Sequence, residues 1–374
     1  MAAAAPHRGR AAAVRFAQFA RLAGLLALAA LAPAAASESV IPAGSGEGVA
    51  RPVAVAAAER VSSVVRLLFV GDIMLDDGPG RAIAAGRDPF AEFAAEFAQA
   101  DVRIGNLEAP IASSGSPMAN KIATFRAAPR VIDRLVGRFD ALSVANNHSG
   151  DYGHEAFLET LTLLDLAGIR AVGGGRDLNE AHAPYWVERG GLSIAILAYN
   201  EYKPRAFEAG PDWPGIAWSE DSHVVRDIRA ARAAGADIVI PFMHWGWEGG
   251  RQPTARQREL ARLLIEAGAD AVVGGHPHVT QGSETYRGKP IIYSLGNFVF
   301  DGFDQPAERE GWLLRMTVSS DGVRDWDTVT AYLDGDGLPR RQPPAPPAAA
   351  AAPTPSSPSP STPPAPIGGS PAVR

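Results

Sequence analysis

The sequence has no cysteine in its 374 residues. This absence excludes disulfide bonds, thiol nucleophiles, thiolate metal sites and a lipid anchor attached to an N-terminal cysteine. A surplus of positive charge is also missing, since the formal net charge is -6. Overall charge therefore provides no attraction to phosphate backbones, and no nucleic-acid partner is expected. What the sequence does contain is 46% hydrophobic and 20% charged residues, a composition typical of a folded globular protein.

The N-terminal segment has the features of a secretory signal. Four arginines in residues 8–21 precede the apolar run Leu22–Ala32, and small residues surround Ala36. The pattern predicts a signal peptide over residues 1–36 and therefore an exported protein, located in the periplasm, at the cell surface or outside the cell. The alternative is an uncleaved N-terminal membrane anchor, although the run is shorter than the roughly 20 apolar residues that span a bilayer.

Two further segments have compositions that do not build a core. Residues 37–63 are rich in Ala, Gly, Ser and Val and are predicted to form a linker. Residues 335–374 are predicted to form a disordered tail rich in Pro, Ala and Ser, because the stretch from Gln342 onward is dominated by these residues and Thr. The folded domain is accordingly predicted over residues 64–334.

Within residues 64–334, short apolar runs alternate with longer segments of helical periodicity. The predicted strands are Val64–Val70, Val102–Ile104, Ala141–Ala145, Leu192–Tyr199, Asp237–Met243, Asp270–Gly275 and Lys289–Leu295. Helices are predicted within residues 88–100, 153–168, 220–235 and 254–268, and the last two end at glycine. This alternation predicts an α/β or layered α+β sandwich with buried strands.

Five of the predicted strands run directly into polar residues. These residues are Asp72, Asn106, Glu108, Asn147, His148, Asp151, His244, His276 and His278. Ligands and catalytic groups gather outside the carboxyl ends of strands in layered α/β folds, so the five clusters are expected to converge on one site. Four of the eight histidines lie in these clusters, which a random distribution would rarely produce.

The residue types in the clusters indicate a metal site. Carboxylates, imidazoles and amide oxygens without sulfur suit divalent ions such as Mn, Fe, Zn or Mg. In "VVGGHPHVTQ", His276 and His278 are two residues apart, and in an extended segment both side chains would point to a common centre. We interpret them as a pair of metal ligands; the alternative is a pair of hydrogen-bonded structural histidines.

An ordered set of motifs resembles a known family. "GDIML", "GNLE", "ANNHSGDYG", "HWGWE", "GGHPHVTQGSE" and "YSLGNFVFD" look like the CapA or capsule-synthesis family, which is associated with poly-gamma-glutamate production. That family is similar to the calcineurin-like metallophosphoesterases. The resemblance covers about residues 66–301 and implies a four-layer αββα sandwich, two sheets between helices, with a two-metal site at the strand ends.

The resemblance also implies roles for individual residues. The implied ligands of two divalent ions, Mn, Fe or Zn, are Asp72, Glu108, Asn147, His244, His276 and His278. Glu108 would occupy the place of the carboxylate that bridges the two ions. His148 would be the acid that protonates the leaving oxygen of a phosphoester. Asp151 would either steady His148 or cap the helix that begins near Gly153.

Two positions depart from the pattern of the wider phosphoesterases. Met74 stands where those enzymes have a histidine, and a thioether is a poor ligand for hard ions. "GNLE" replaces a glycine-aspartate pair, so either Asn106 or Glu108 could take the bridging role. Both departures look like the pattern of the capsule-synthesis family itself.

Two functions follow from these observations. The first is an exported, metal-dependent hydrolase that acts on a capsule or envelope polymer or on another envelope phosphoester. The second is a non-catalytic accessory or binding protein for the synthesis and export of an anionic polymer. A membrane synthase complex is an expected partner in either case.

Overall fold

The computed structural model describes residues 64–342; the predicted signal peptide and linker, and the tail beyond residue 342, lie outside this range. The described residues contain seven α-helices and sixteen strands. The helices are α1 (Asp77–Ala84), α2 (Ala94–Gln99), α3 (Ile132–Leu135), α4 (Gly153–Leu166), α5 (Leu178–Ala181), α6 (Asp221–Ala233) and α7 (Ala255–Ala267). The strands are β1 (Val65–Ile73), β2 (Val102–Leu107), β3 (Ala141–Ser143), β4 (Arg170–Val172), β5 (Gly174–Gly175), β6 (Tyr185–Arg189), β7 (Leu192–Asn200), β8 (Gly215–Ile216), β9 (Ile238–His244), β10 (Val272–Gly275), β11 (Thr280–Tyr286), β12 (Lys289–Leu295), β13 (Asn297–Val299), β14 (Glu310–Ser319), β15 (Gly322–Leu333) and β16 (Pro339–Arg340).

Two large sheets organise these strands. The first has eight strands in the order β16-β15-β14-β1-β2-β3-β4, with β13 paired to β1. Its strands β1 to β4 are parallel, whereas β14 and β15 join in antiparallel register. The second has the order β11-β12-β10-β9-β7-β6, and its central strands β12, β10, β9 and β7 are parallel. Parallel strands bring their carboxyl ends to one edge of each sheet.

Successive side chains of β1 point to opposite faces of the first sheet and belong to two separate hydrophobic cores. Leu67 and Phe69 face the second sheet, whereas Leu68 and Val70 pack with residues of α2, α3 and α4. Between the sheets, Phe69 meets Phe242 of β9 edge to face, with ring centroids 5.8 Å apart. Another core lies between the outer face of the second sheet and helices α6 and α7. The order of layers is helix, sheet, sheet, helix, which confirms the predicted four-layer αββα sandwich.

The elements predicted from the sequence are present. All seven predicted strands occur, as β1, β2, β3, β7, β9, β10 and β12. Helix α7 begins at a capping box in which Thr254 and Gln257 each accept from the other's backbone N–H, and it ends at Gly268 with a φ of 126°. None of the helices in residues 64–342 combines the length and the apolar composition required to cross a membrane.

The fold continues past residue 334, where the sequence predicts its end. Pro339–Arg340 forms β16 and pairs with β15. Leu338 is buried in the core beneath the first sheet, and Arg341 forms a salt bridge with Glu96 of α2. The predicted boundary is therefore too early, because a buried leucine and a two-residue strand leave little periodic signal beside the proline-rich segment.

Candidate metal centre

The polar residues that follow the strands meet at one edge of the sandwich. Three groups of candidate ligand atoms lie there, each with its atoms within 4.8 Å of one another: Asp72, Glu108 and His278; Glu108, His244 and His276; and Glu248, His276 and His278. All of these residues are buried except Glu248, which is exposed. The buried carboxylates come from the eight-stranded sheet and the imidazoles from the six-stranded sheet, so the centre spans both sheets.

Glu108 belongs to the first two of these groups, and neither of its carboxylate oxygens has a hydrogen-bond partner among residues 64–342. Burial, together with the neighbouring Asp72 carboxylate, raises the pKa of Glu108 well above its ordinary value. Among the same residues, neither ring nitrogen of His276 has a hydrogen-bond partner. Buried polar atoms are almost always paired, so a cluster of unpaired oxygen and nitrogen ligand atoms fits the coordination of a cation. The residues therefore fit a divalent metal.

Asn106 is turned away from a bridging role. Its side-chain nitrogen donates to Asp72 Oδ1 at 2.8 Å and lies 3.2 Å from His244 Nδ1. Its side-chain oxygen accepts from the Asn146 amide at 3.1 Å. Because the oxygen is engaged and the nitrogen cannot bind a cation, Glu108 is the only one of the two residues that presents free ligand oxygens.

Asn147 and His244 touch across the two sheets. Asn147 Oδ1 lies 2.7 Å from His244 Nε2, and both side chains are buried. Burial lowers the pKa of His244 to about 3, which keeps its imidazole neutral and able to bind a metal. Burial lowers the pKa of His276 well below its ordinary value too. Although burial opposes protonation of His278, the Glu108 and Asp72 carboxylates raise its pKa.

The His276 to His278 segment is not extended, contrary to the sequence-based expectation. Both residues have positive φ angles, 92° for His276 and 55° for His278. Their rings still converge, with centroids 5.7 Å apart. The His276 backbone N–H donates to Asp72 Oδ2 at 3.1 Å. Non-glycine residues in this region of φ carry backbone strain, which concentrates at functional sites.

His148 and Asp151 lie beside the ligand groups and contact each other. His148 Nδ1 lies 2.7 Å from Asp151 Oδ2, and an ionised carboxylate only accepts, so the ring carries its hydrogen on Nδ1. Asp151 does not cap α4, whose N-cap is Tyr152. Burial lowers the pKa of His148, and Asp151 opposes this effect.

Sequence reasoning missed Lys121, which completes this arrangement. Its ammonium donates to the backbone oxygen of Asn147 at 2.7 Å and forms a salt bridge with Asp151. Lys121 lies in a long loop with no periodic pattern, 27 residues before His148. No sequence signal connects the two positions.

Three further residues around the centre have roles that the sequence does not reveal. Asn297 Oδ1 lies 2.9 Å from His278 Nδ1 and fixes that ring. The Tyr202 ring covers His276, with centroids 3.9 Å apart. Met74 points into a small apolar cluster with Phe300, which explains why it is not a ligand.

The described residues form an αββα sandwich with a candidate metal centre at the ends of the strands. The bacterial capsule synthesis protein family, PGA_cap, matches residues 66–302. The chain belongs to this family.

Curated relatives have related descriptions. The PGA biosynthesis protein CapA of Bacillus subtilis is 34% identical over 249 residues, which are 64% of this chain and 64% of the relative. The capsule biosynthesis protein CapA of Bacillus anthracis is 30% identical over 288 residues, 74% of this chain and 67% of the relative. A probable polyglutamine synthesis accessory protein of Mycobacterium tuberculosis is 33% identical, over 59% of this chain and 62% of the relative. The chain thus spans slightly less than two thirds of the first and third relatives.

The solved structures that the chain matches are more distant in sequence. NAD nucleotidase of Haemophilus influenzae is 16% identical with a TM-score of 0.45, over 75% of this chain and 53% of that one. A putative 5'-nucleotidase of Staphylococcus aureus is 14% identical with a TM-score of 0.46, over 71% of this chain and 54% of that one.

Proposed function

We propose that this protein is an exported, metal-dependent phosphoester hydrolase that works in the synthesis of a capsule or polyglutamate-type polymer. The observation that carries the proposal is the buried ligand set in which the carboxylate oxygens of Glu108 and the ring nitrogens of His276 make no hydrogen bond within the described part of the chain. A purely structural cluster would satisfy these atoms internally. The sharing of Glu108 by two ligand groups supports a site for two ions.

The ligand assignment follows the two groups that contain Glu108. Asp72, Glu108 and His278 would hold one ion. Glu108, His244 and His276 would hold the other, with Asn147 beside His244. When bound, a pair of divalent ions, Mn, Fe or Zn, would neutralise charge on a phosphoryl group and would make water a stronger nucleophile at neutral pH. Asn106 and Asn297 orient Asp72 and His278.

His148 is suited to give a proton to the leaving oxygen. Its Nδ1–H donates to Asp151, so Nε2 is the ring atom that gains and releases a proton. Asp151 is itself fixed by Lys121 and by the backbone N–H of Phe125 at 2.8 Å. A carboxylate held in this way orients the ring and stabilises the imidazolium that precedes proton donation.

The biological setting of the proposal rests on the N-terminal sequence and on the relatives. The arginine-rich and apolar start of the chain supports export. The names of the relatives support a place in polymer synthesis, where a membrane synthase complex is the proposed partner. A phosphoester of the envelope, either on the polymer or on its precursor, is the proposed substrate.

The test is hydrolysis of a phosphoester panel by the full chain with Mn²⁺ or Zn²⁺. We expect His148→Ala to lower turnover about 100-fold or more, because general acid catalysis contributes roughly this much. His276→Ala should lower both turnover and metal affinity. His154→Ala is the matched control, since His154 is exposed and stacks on Phe207 outside the centre.

Two outcomes would count against hydrolysis. If the folded protein binds metal but turns over no substrate, the accessory or binding role in polymer synthesis replaces the proposal. If it binds no metal at all, the proposed centre is wrong.

A further inference from the structure

A cavity of about 470 Å³ opens beside the candidate metal centre. Its volume lies within the range of small-molecule binding sites. Two residues of the centre, His148 and His278, form part of its wall. The other residues used below are Asp77, Arg81, Phe125, Glu248, Phe300, Asp301 and Phe303.

Three phenylalanine rings form one side of this cavity. Phe300 lies 5.7 Å from Phe125 and 5.1 Å from Phe303, measured between ring centroids. Phe125 also lies 4.7 Å from the His148 ring and Phe303 lies 4.9 Å from the His278 ring. Phe125 and Phe303 are only partly buried, so they leave aromatic surface available to a ligand next to the reacting groups.

The charged groups of the cavity are mostly negative. Three carboxylates, those of Asp77, Glu248 and Asp301, line it together with one guanidinium, that of Arg81. Within residues 64–342, none of the three carboxylates is part of a salt bridge; Asp301 accepts a hydrogen bond from the Gly78 backbone N–H at 2.8 Å. Glu248 also belongs to a candidate ligand group with His276 and His278. Even without it, the two carboxylates of Asp77 and Asp301 outnumber the single guanidinium of Arg81 in the cavity wall.

His148 lines this cavity with one of its ring nitrogens already engaged. The residue is 6% exposed, it lines the cavity, and its Nδ1 is engaged by Asp151. No hydrogen bond to Nε2 is made within the described part of the chain. The second ring nitrogen of His148 is therefore available to a ligand group in the cavity.

We propose that this cavity binds an ammonium group carried by the alcohol portion of the phosphoester substrate. Aromatic faces attract cations and recognise quaternary ammonium groups in particular, and the surplus carboxylates strengthen this attraction. The same lining disfavours a leaving group that is itself anionic. This inference rests on the hydrolase function proposed above and specifies its substrate as a choline-like or ethanolamine-like phosphoester.

The proposed reaction balances as an ordinary hydrolysis. The oxygen of water forms a bond to phosphorus, and the bond from phosphorus to the alcohol oxygen breaks. His148 gives its Nε2 proton to the departing oxygen, and water supplies the proton that restores the ring. For a monoester such as choline phosphate, the products are the amino alcohol and inorganic phosphate, with no other reactant required.

The first measurement is calorimetric binding of choline to the full chain, compared with 3,3-dimethylbutanol, the neutral analogue of the same shape. We expect choline to bind about 2- to 30-fold more tightly, the range of a cation–π contribution. Asp301→Asn and Phe303→Leu should each reduce this preference. Asp325→Asn is the matched control, because Asp325 is exposed on β15 and lies outside the cavity.

Equal binding of the two alcohols, or a preference that survives both cavity variants, would overturn the inference. If only the hydrolase proposal is wrong, choline would still bind selectively, but neither choline phosphate nor 3,3-dimethylbutyl phosphate would be cleaved. Hydrolysis of both esters at equal rates, with no selective binding of choline, would retain the hydrolase and reject the ammonium site. Co-sedimentation with phosphatidylcholine vesicles distinguishes a lipid head group from a soluble ester.

Discussion

Glu108 is a buried carboxylate beside a second carboxylate, with imidazoles on its other side. In the protein alone, its negative charge is opposed by desolvation and by Asp72. A bound cation would compensate both for the lost solvation of the carboxylate and for its repulsion by Asp72. Glu108 is therefore expected to link metal binding to the stability of the fold.

Replacing Glu108 by Gln tests this link. With chelator at pH 7, we expect the melting temperature of Glu108→Gln to exceed that of the wild type by about 2 to 4 °C, since one buried charge is removed. Because the pKa of Glu108 is raised in the folded state, the wild type loses stability relative to the variant as the pH rises above the ordinary glutamate pKa of about 4.3. The advantage of the variant should accordingly be absent at pH 4.

With saturating Mn²⁺ the wild type should have the higher melting temperature. At a Mn²⁺ concentration 100 times the dissociation constant, its free energy of unfolding rises by about 2.7 kcal/mol, whereas that of Glu108→Gln rises little. Glu155→Gln is the control, since Glu155 is exposed on α4. An equal gain of stability in Glu108→Gln and wild type would show that Glu108 is not a ligand.

At this scale the sequence predicts residue types better than it predicts orientations. It identifies the polar residues after the strands, yet it leaves Asn106 and Glu108 as alternatives. The choice depends on the hydrogen bonds of Asn106 with Asp72 and Asn146, which no spacing encodes. Lys121 is missed for the same reason, since its contact with Asp151 joins a loop to a distant strand end.

At the scale of elements, β10 passes very close to the end of β1. A Cβ atom at Gly275 would lie 2.7 Å from Asp72 Oδ1, closer than real Cβ contacts. The contact is with the end of a side chain, so the Asp72 carboxylate rather than the backbone is expected to move. Glycine at this position is therefore needed for the placement of a candidate ligand.

Gly275→Ala should consequently weaken Mn²⁺ binding by about 10-fold or more while changing the free energy of unfolding by roughly 1 kcal/mol. Calorimetric metal titration and urea unfolding measure the two quantities. Gly282→Ala in β11 is the matched control, because a Cβ there meets no atom within 4 Å. Unchanged metal affinity in Gly275→Ala would exclude Asp72 from the centre.

The elements also show where periodicity is informative. The buried central strands were predicted because they are continuous apolar runs. Strand β15 alternates buried, partly buried and exposed positions and contains Arg324, Asp325 and Asp327, so its composition does not distinguish it from a loop. The sequence does not predict the positive φ angles of His276 and His278 either, because neither position is a glycine.

At the scale of the whole molecule, the C-terminal end of the fold contributes to its stability. Arg340 forms salt bridges with Glu92 and Asp334. Leu338 is 1% exposed. Partly exposed ion pairs contribute little, so the buried leucine is the larger contribution.

A chain that ends at Asp334 should therefore be less stable than one that ends at Gln342 by about 2 to 4 kcal/mol, mainly from the loss of Leu338. Urea unfolding of the two chains measures the difference. The full chain is the control and should match the chain that ends at Gln342. Equal stability of the two shortened chains would place the end of the fold at the residue predicted from the sequence.

The overall architecture was predictable because alternating elements and ordered motifs agree with each other. The layer order was expected from the resemblance and is confirmed by the three cores. The end of the fold was not predictable, since the proline-rich stretch begins within a few residues of β16.

The division of the centre between two sheets has a consequence for evolution and design. The carboxylates belong to one sheet and the imidazoles to the other, and side chains such as Phe69 and Phe242 fill the space between them. The thickness of this apolar layer therefore sets the distance between the two halves of the ligand set. A substitution deep in the layer, far from any metal, would tune which ion the halves accept, because ions differ in radius and in the ligand spacing they require.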